Sequence, residues 1–392
     1  MKTKQAERME RIALSGIRKV FDKVGELEAK GIGVVHLEIG RPDFDTPVHI
    51  KEAAKKALDE GFVHYTPNSG VKELREAISE KLSRDNGIEV DPEKEIIVTT
   101  GTSEAIFISI MATLNPGDEV IVPDPMFVYY ADWAEFAEAK TVPLPLREEN
   151  GYKIDPEDIE KRITPHTKML IINSPHNPTG CVFDKDTLEA IANIAKKHDL
   201  LVLSDEIYEK ILYDGAKHYS IASFPGMKER TLTINGFSKA YSMTGWRIGY
   251  VATSEDLIPS LMKVHQHIAT CATSFAQKGA LSALTGSSDC VEEMVKEFSR
   301  RRKLVLDYLD EMEGVTYVKP TGAFYVFPSI KGLGVSDEEV ADYLLKEARV
   351  AVVPGRCFGK SGQDHIRIAY STSYDNLEKG LERMSKALRK IR

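Results

Sequence analysis

The sequence is poor in the features that would point away from a soluble enzyme. Its 392 residues include four cysteines, Cys181, Cys271, Cys290 and Cys357. None stands at CxxC or zinc-ligand spacing, so no metal site is expected. Four half-cystines allow three pairings, but nothing else suggests secretion, and they read as reduced thiols of a cytoplasmic protein. Positive charge is the minority: 52 Lys and Arg against 60 Asp and Glu give a formal net charge of −8. With no basic cluster, that balance argues against a nucleic-acid partner. No apolar run approaches the roughly 20 residues that span a bilayer. The opening Met1-Lys2-Thr3-Lys4-Gln5-Ala6-Glu7-Arg8 is too charged for a secretory signal core. No strand-like segment leads into GxGxxG, which disfavours a nicotinamide oxidoreductase. Neither an internal repeat nor a low-complexity segment stands out.

What is present is an alternation of two periods. Residues 1–30 read as a charged helical arm. From about 46 to 285, short apolar runs alternate with amphipathic helical patterns: 95–100, 119–123, 168–173, 200–204, 231–235 and 247–253. Such alternation predicts a mostly parallel sheet covered by helices on both faces. A long helix follows over 292–312, then strand-like 316–319, 323–328 and 365–370 around a helix at 336–348, and a closing helix over 376–391. This predicts a large α/β domain over 46–285 and a smaller α+β domain over 286–392, with residues 1–45 forming the arm and part of the smaller domain.

In open α/β sheets, ligands collect beyond the carboxyl ends of the strands. There stands Lys239, in Gly236-Phe237-Ser238-Lys239-Ala240-Tyr241-Ser242-Met243-Thr244-Gly245-Trp246-Arg247-Ile248-Gly249. A surface lysine with pKa near 10.4 is neutral less than about 0.1% of the time at pH 7 and is a poor nucleophile. One kept neutral by its surroundings can form an imine with a carbonyl. Arg247, eight residues on, is near enough in sequence to hold a phosphate on the same small molecule. An aldehyde and a phosphate together mean pyridoxal 5'-phosphate.

This run resembles the lysine signature of the class I/II aminotransferases, within the fold-type I family of pyridoxal-phosphate enzymes. The resemblance extends in family order from Gly40 to Arg367. It implies a seven-stranded, mostly parallel sheet in the large domain, a Schiff base at Lys239, and a homodimer with shared active sites. Asp205, at the end of 200–204, takes the role of the carboxylate facing the cofactor's pyridinium nitrogen. An anion there keeps that nitrogen protonated and the ring an electron sink. Tyr208 takes the hydroxyl that faces the phenolate oxygen. Asn177, in Asn177-Pro178-Thr179-Gly180, takes contacts to that oxygen and to the substrate carboxylate. His176 beside it reads as a loop side chain rather than a base.

The glycine turn Gly101-Thr102-Ser103 opens a helix after 95–100, and the free N–H groups of a helix start suit phosphate. Phe127 falls where relatives stack an aromatic ring on the cofactor. Arg367, a charge inside an apolar strand, takes the substrate α-carboxylate, a bidentate pair worth about 1.5–3 kcal/mol. Gly40 takes the backbone wall of that pocket. Tyr65 either reaches the neighbouring subunit's phosphate or is a plain interface residue.

Two departures from the family pattern stand out. Gly236 occupies a position where many members carry a phosphate-binding Ser, which shifts the cradle toward Arg247 and the 101–103 turn. Arg41 replaces a residue more often polar or acidic, and reads as solvated or as a substrate contact. The implied reaction moves an amino group between an L-amino acid, aspartate or aromatic, and a 2-oxo acid such as 2-oxoglutarate. A C–S β-lyase on the same scaffold is the alternative. Ser103 stands where one aspartate-using branch has a lysine, leaving Arg18, Arg41 and Arg356 as candidates for a distal anion.

Overall fold

The computed structural model describes residues 6–12 and 16–391. Its centre is a seven-stranded sheet of β1 (Ile96–Thr99), β2 (Glu119–Asp124), β3 (Lys140–Pro145), β4 (Thr167–Asn173), β5 (Leu201–Asp205), β6 (Thr231–Gly236) and β7 (Gly249–Ala252). Their order is β1-β7-β6-β5-β4-β2-β3. The pairs β6/β5, β5/β4, β4/β2 and β2/β3 are parallel, and only β7 runs against both neighbours.

Side chains alternate across this sheet with the period of two that a pleated strand imposes. Met169 and Ile171 face one side with Ile97, Val120 and Leu203, under the helix α2 (Thr102–Thr113). Leu170 and Ile172 face the other, against Leu188 and Ile191 of the helix Lys185–Lys197. Both faces are apolar because both are covered, as parallel sheets require.

A second body packs around two small sheets. Val35–His36 pairs in parallel with Val350–Ala351, and Val353–Pro354, Ile366–Ala369 and Tyr325–Val326 form an antiparallel trio. Their core includes Phe298 and Leu306 of the long helix α3 (Asp289–Asp310) and Leu381 of the helix Tyr374–Leu388. The arm contributes the helix α1 (Gly16–Glu28); the rest of the expected 1–30 helix falls partly outside the described residues.

Three local expectations are corrected. Strand β3 was not foreseen: it carries Pro143 and Pro145 and is half exposed, which suits only an edge. The 316–319 segment makes a single isolated bridge, Thr316 to Ser329, rather than a strand. The expected 247–253 strand starts only at Gly249, because Arg247 turns through the left-handed region at φ 56°.

Candidate active site

The carboxyl ends of β4, β5 and β6 open onto one cavity of about 380 Å³. Asp205, the last residue of β5, is buried there, and burial pushes its carboxyl up to about 6. Four bonds hold it: the Tyr130 hydroxyl donates to Oδ2 at 2.6 Å, the Ile207 N–H to Oδ1 at 3.2 Å, and Asn173 Nδ2 and the Ser174 N–H to its backbone oxygen at 2.9 and 3.2 Å. The carboxylate is therefore fixed in place, and among the described residues no cation forms a salt bridge with it, Lys239 acting on it only through its field.

Lys239 follows β6 by three residues and turns its Nζ into the same cavity. Nζ donates to the Gly40 carbonyl at 2.6 Å and lies 5.6 Å from the Tyr208 ring centroid. Burial, then the Arg367 charge and less strongly Arg247, pull this lysine down to about 8, against the opposing pull of Asp205. The Tyr208 and Tyr325 hydroxyls lie 2.8 Å apart.

The two arginines are cations without counter-ions. Among the described residues, neither Arg247 nor Arg367 forms a salt bridge. Arg367 lies in the strand Ile366–Ala369, donates from Nη1 to Asn177 Oδ1 at 3.1 Å and from Nη2 to the Glu38 carbonyl at 2.6 Å, and leaves Nε buried and unpartnered. Its guanidinium rests on the Tyr325 ring at 4.6 Å. A buried guanidinium with polar neighbours but no carboxylate is a receptor for one.

Arg247 donates to the Thr244 carbonyl at 3.0 Å and lies against Gly101, at the amino end of α2. A Cβ on Gly101 would stand 2.5 Å from its Nη2, and the backbone there has φ +79°. Only glycine permits that approach. Gly236 and Gly249 press together beneath, where a Cβ on Gly236 would stand 2.9 Å from Gly249 Cα. The result is a concave site with a helix start, two hydroxyls (Thr102 and Ser103) and a guanidinium, the donor set of a phosphate cradle.

Of the residues expected from sequence, Gly40, Thr102, Ser103, Phe127, Asn177, Asp205, Tyr208, Lys239, Arg247 and Arg367 all line this one cavity, with Gly101 against Arg247 behind it. Tyr65 does not: it is 88% exposed on the surface. Arg18 and Arg41 stand at the exposed rim, Arg18 paired with Asp22 at 3.4 Å. Arg356 is withdrawn as a distal-anion candidate, because Asp337 and Glu338 already hold its guanidinium at 2.7 Å each. His176 is buried, its Nδ1 2.8 Å from Thr179 Oγ1, and burial pulls it down to about 3.

Sequence reasoning missed Tyr130, Tyr325, Glu38 and the α1 residues Ile17 and Phe21, all of which line the cavity. No residue signal marks Tyr325, whose place comes from packing between the two bodies. Tyr130 sits in the same aromatic run as Phe127, and that run was the available hint.

Residues 32–384 match the model of the family "Aminotransferase class I and II", and the chain belongs to it. It is 50% identical to an aspartate aminotransferase of Pyrococcus abyssi, over 98% of each chain. It is 48% identical to aromatic-amino-acid aminotransferase 2 of Thermococcus litoralis, again over 98% of each. Among solved structures, the aromatic aminotransferase of Pyrococcus horikoshii superposes with a TM-score of 0.90 at 50% identity, covering 95% of this chain and 100% of that one. The Thermus thermophilus aspartate aminotransferase with maleate superposes with a TM-score of 0.94 at 42% identity, covering 99% and 100%. The chain is thus an amino-acid aminotransferase of fold-type I, and the C–S β-lyase alternative is not favoured.

Proposed function

We propose that this aminotransferase works with pyridoxal 5'-phosphate held at Lys239, and moves the amino group of an aspartate-like or aromatic L-amino acid to 2-oxoglutarate. The observation that carries this reading is one cavity holding a lysine drawn down to about 8, a buried carboxylate that forms no salt bridge among the described residues, and two guanidiniums without anions. Each of these unbalanced charges matches one group of the cofactor or substrate. When bound, the cofactor supplies a reactive carbonyl and a ring that withdraws electrons.

The residues divide the work. Lys239 would hold the cofactor through Nζ, and Asp205 would meet the ring nitrogen and keep its proton there. Gly101, Thr102, Ser103 and Arg247 would take the phosphate, while Phe127 bounds the ring's face. Tyr208 and Asn177 would bracket the phenolate oxygen. Arg367, steadied by Asn177 and the Tyr325 ring, receives the substrate α-carboxylate against the Gly40 backbone. With the substrate so placed and its amine taking over the bond to the cofactor, Lys239 Nζ would be released as a free amine that accepts the Cα proton as a base and hands it back as an acid, and a pKa of about 8 suits both tasks.

A homodimer fits the surface. Val48, Leu58, Val63, Tyr65 and Ile268 are large apolar side chains at 45–88% exposure, a set that a second copy would cover. Tyr65, exposed and outside the cavity of its own chain, would then approach the phosphate of its partner. The four cysteines are unpaired, which suits the cytoplasm, and no helix among the described residues is long and apolar enough to cross a membrane.

The test is a half-reaction screen of the pyridoxal-phosphate-loaded protein against single amino acids. Aspartate or an aromatic amino acid is expected to convert the bound chromophore to the pyridoxamine form, and 2-oxoglutarate to restore it. A chromophore that no amino acid changes would contradict the reading.

A further inference from the structure

The segment that follows Tyr65 is pinned from within by buried polar side chains. Gln277, fully buried, frames it: its Nε2 donates to Thr66 Oγ1 at 3.0 Å, and its Oε1 accepts from the Val71 N–H at 2.8 Å. His265, also fully buried, holds the middle, with Nε2 2.9 Å from the Asn68 carbonyl oxygen. The helix Ile258–Ile268 that supplies His265 ends on Ile268, which like Val63 and Tyr65 is an exposed apolar side chain.

The other nitrogen of the same imidazole reaches toward the phosphate cradle. His265 Nδ1 lies 2.8 Å from Glu104 Oε1, and Glu104 Oε2 accepts the Thr100 N–H. Thr100 and Glu104 bracket the cradle residues Gly101, Thr102 and Ser103 in the chain, where α2 starts. A carboxylate and a carbonyl oxygen both accept, so the ring donates from both of its nitrogens. Removing either donor strands a buried acceptor, which is costly, and the backbone that carries it must shift to find another partner. One side chain therefore fixes both the helix start that faces the cavity and the segment that presents Tyr65 outward.

Resting on the proposed pairing of copies, in which Tyr65 meets its partner's phosphate, these two ends serve two different active sites. We propose that His265 is a positioning residue for both. Through Glu104 it shapes the cradle of its own chain, and through Asn68 it sets Tyr65 for the cradle of the partner copy. Both ring nitrogens are already engaged, so neither takes phosphate itself. What His265 governs is the grip on the phosphate, not the lysine or the ring of the cofactor.

Two substitutions divide the roles, because asparagine places a donor near the position of Nδ1 and glutamine near that of Nε2. His265→Asn keeps a donor for Glu104 and loses the one for Asn68; His265→Gln does the reverse. Hybrid dimers with Lys239→Ala in one chain leave one lysine for imine formation. Titrating that lysine by its imine absorbance, with pyridoxal 5'-phosphate and with pyridoxal, gives the affinity ratio that the phosphate contributes. A general loosening of the fold weakens both ligands alike, whereas a looser grip on phosphate lowers the ratio. Placed in the Lys239→Ala chain, whose Tyr65 serves the working site, His265→Asn is expected to lower the ratio at least about threefold and His265→Gln to leave it unchanged. Placed in the chain that keeps Lys239, the two variants are expected to exchange effects. Should one variant fail to fold, the contrast between the two placements of the other decides. Any other pattern, such as equal effects in both chains or none in either, overturns the inference. Tyr65→Phe in the Lys239→Ala chain separates the two levels: a lowered ratio upholds the shared site whatever His265 does, and an unchanged one sinks that reading and the role of His265 with it.

Discussion

Burial acts in opposite directions on the two charges at the centre of the cavity. It pushes the Asp205 carboxyl up to about 6 and pulls the Lys239 amine down to about 8, so each is closer to neutrality than it would be in water. For Asp205, the Tyr130 hydroxyl bond at 2.6 Å favours the ionised form and opposes the effect of burial. Tyr130→Phe removes that donor, so the carboxyl takes up its proton at a higher pH than in the wild type. A hydrogen bond to a charged group is worth about 1.5–3 kcal/mol. Pyridoxal phosphate is therefore expected to bind roughly 10- to 100-fold more weakly. As pH falls, the loss of affinity is expected to set in above the wild-type onset, followed by fluorescence titration between pH 8 and 5. An unchanged affinity and pH profile would remove Tyr130 from this role. The Lys239, Asp205 and Arg367 positions were legible from sequence because each sets a charge where an apolar strand ends or runs. Tyr130, Tyr325 and Glu38 were not, since their places come from contacts between segments far apart in the chain.

At the scale of elements, the apolar runs of β1, β2, β4, β5 and β6 stood out because both faces of the sheet are covered. Strand β3 escaped because it is an edge interrupted by prolines. Glycine contacts were equally hidden. Gly236, where the family often carries Ser, lies so near Gly249 that a Cβ would stand 2.9 Å from its Cα and 3.0 Å from the Ile248 oxygen. Real Cβ atoms do not tolerate such backbone contacts, and β6 and β7 would have to part. Gly236→Ser is accordingly expected to cost about 1–3 kcal/mol of stability. Calorimetric unfolding should show a lower Tm despite the added hydroxyl beside the cradle. A variant as stable as the wild type would mean that the strands part there at no cost.

The whole molecule sets its cavity between two bodies. The large sheet supplies Asp205, Asn177, Lys239 and the cradle; the second body supplies Arg367 and Tyr325; the arm supplies Ile17 and Phe21. Tyr65 lies outside this cavity, exposed on the surface. Sedimentation at micromolar concentration is expected to give twice the 43.7 kDa chain mass, and a species of single-chain mass would leave Tyr65 without its proposed partner. Sequence alone carried much of the order of strands and helices, though not β3 or the short strands at 35–36, 350–351 and 353–354, and not which loops meet across the two bodies, because that depends on packing rather than on local pattern.

The measurement that bears most directly on the account is chemical. Borohydride reduction of the pyridoxal-phosphate-loaded protein, followed by peptide mass spectrometry, is expected to leave one stable adduct, on Lys239. Lys239→Ala should lose both the adduct and turnover while keeping its circular dichroism. An adduct on another lysine, or turnover that survives Lys239→Ala, would contradict it.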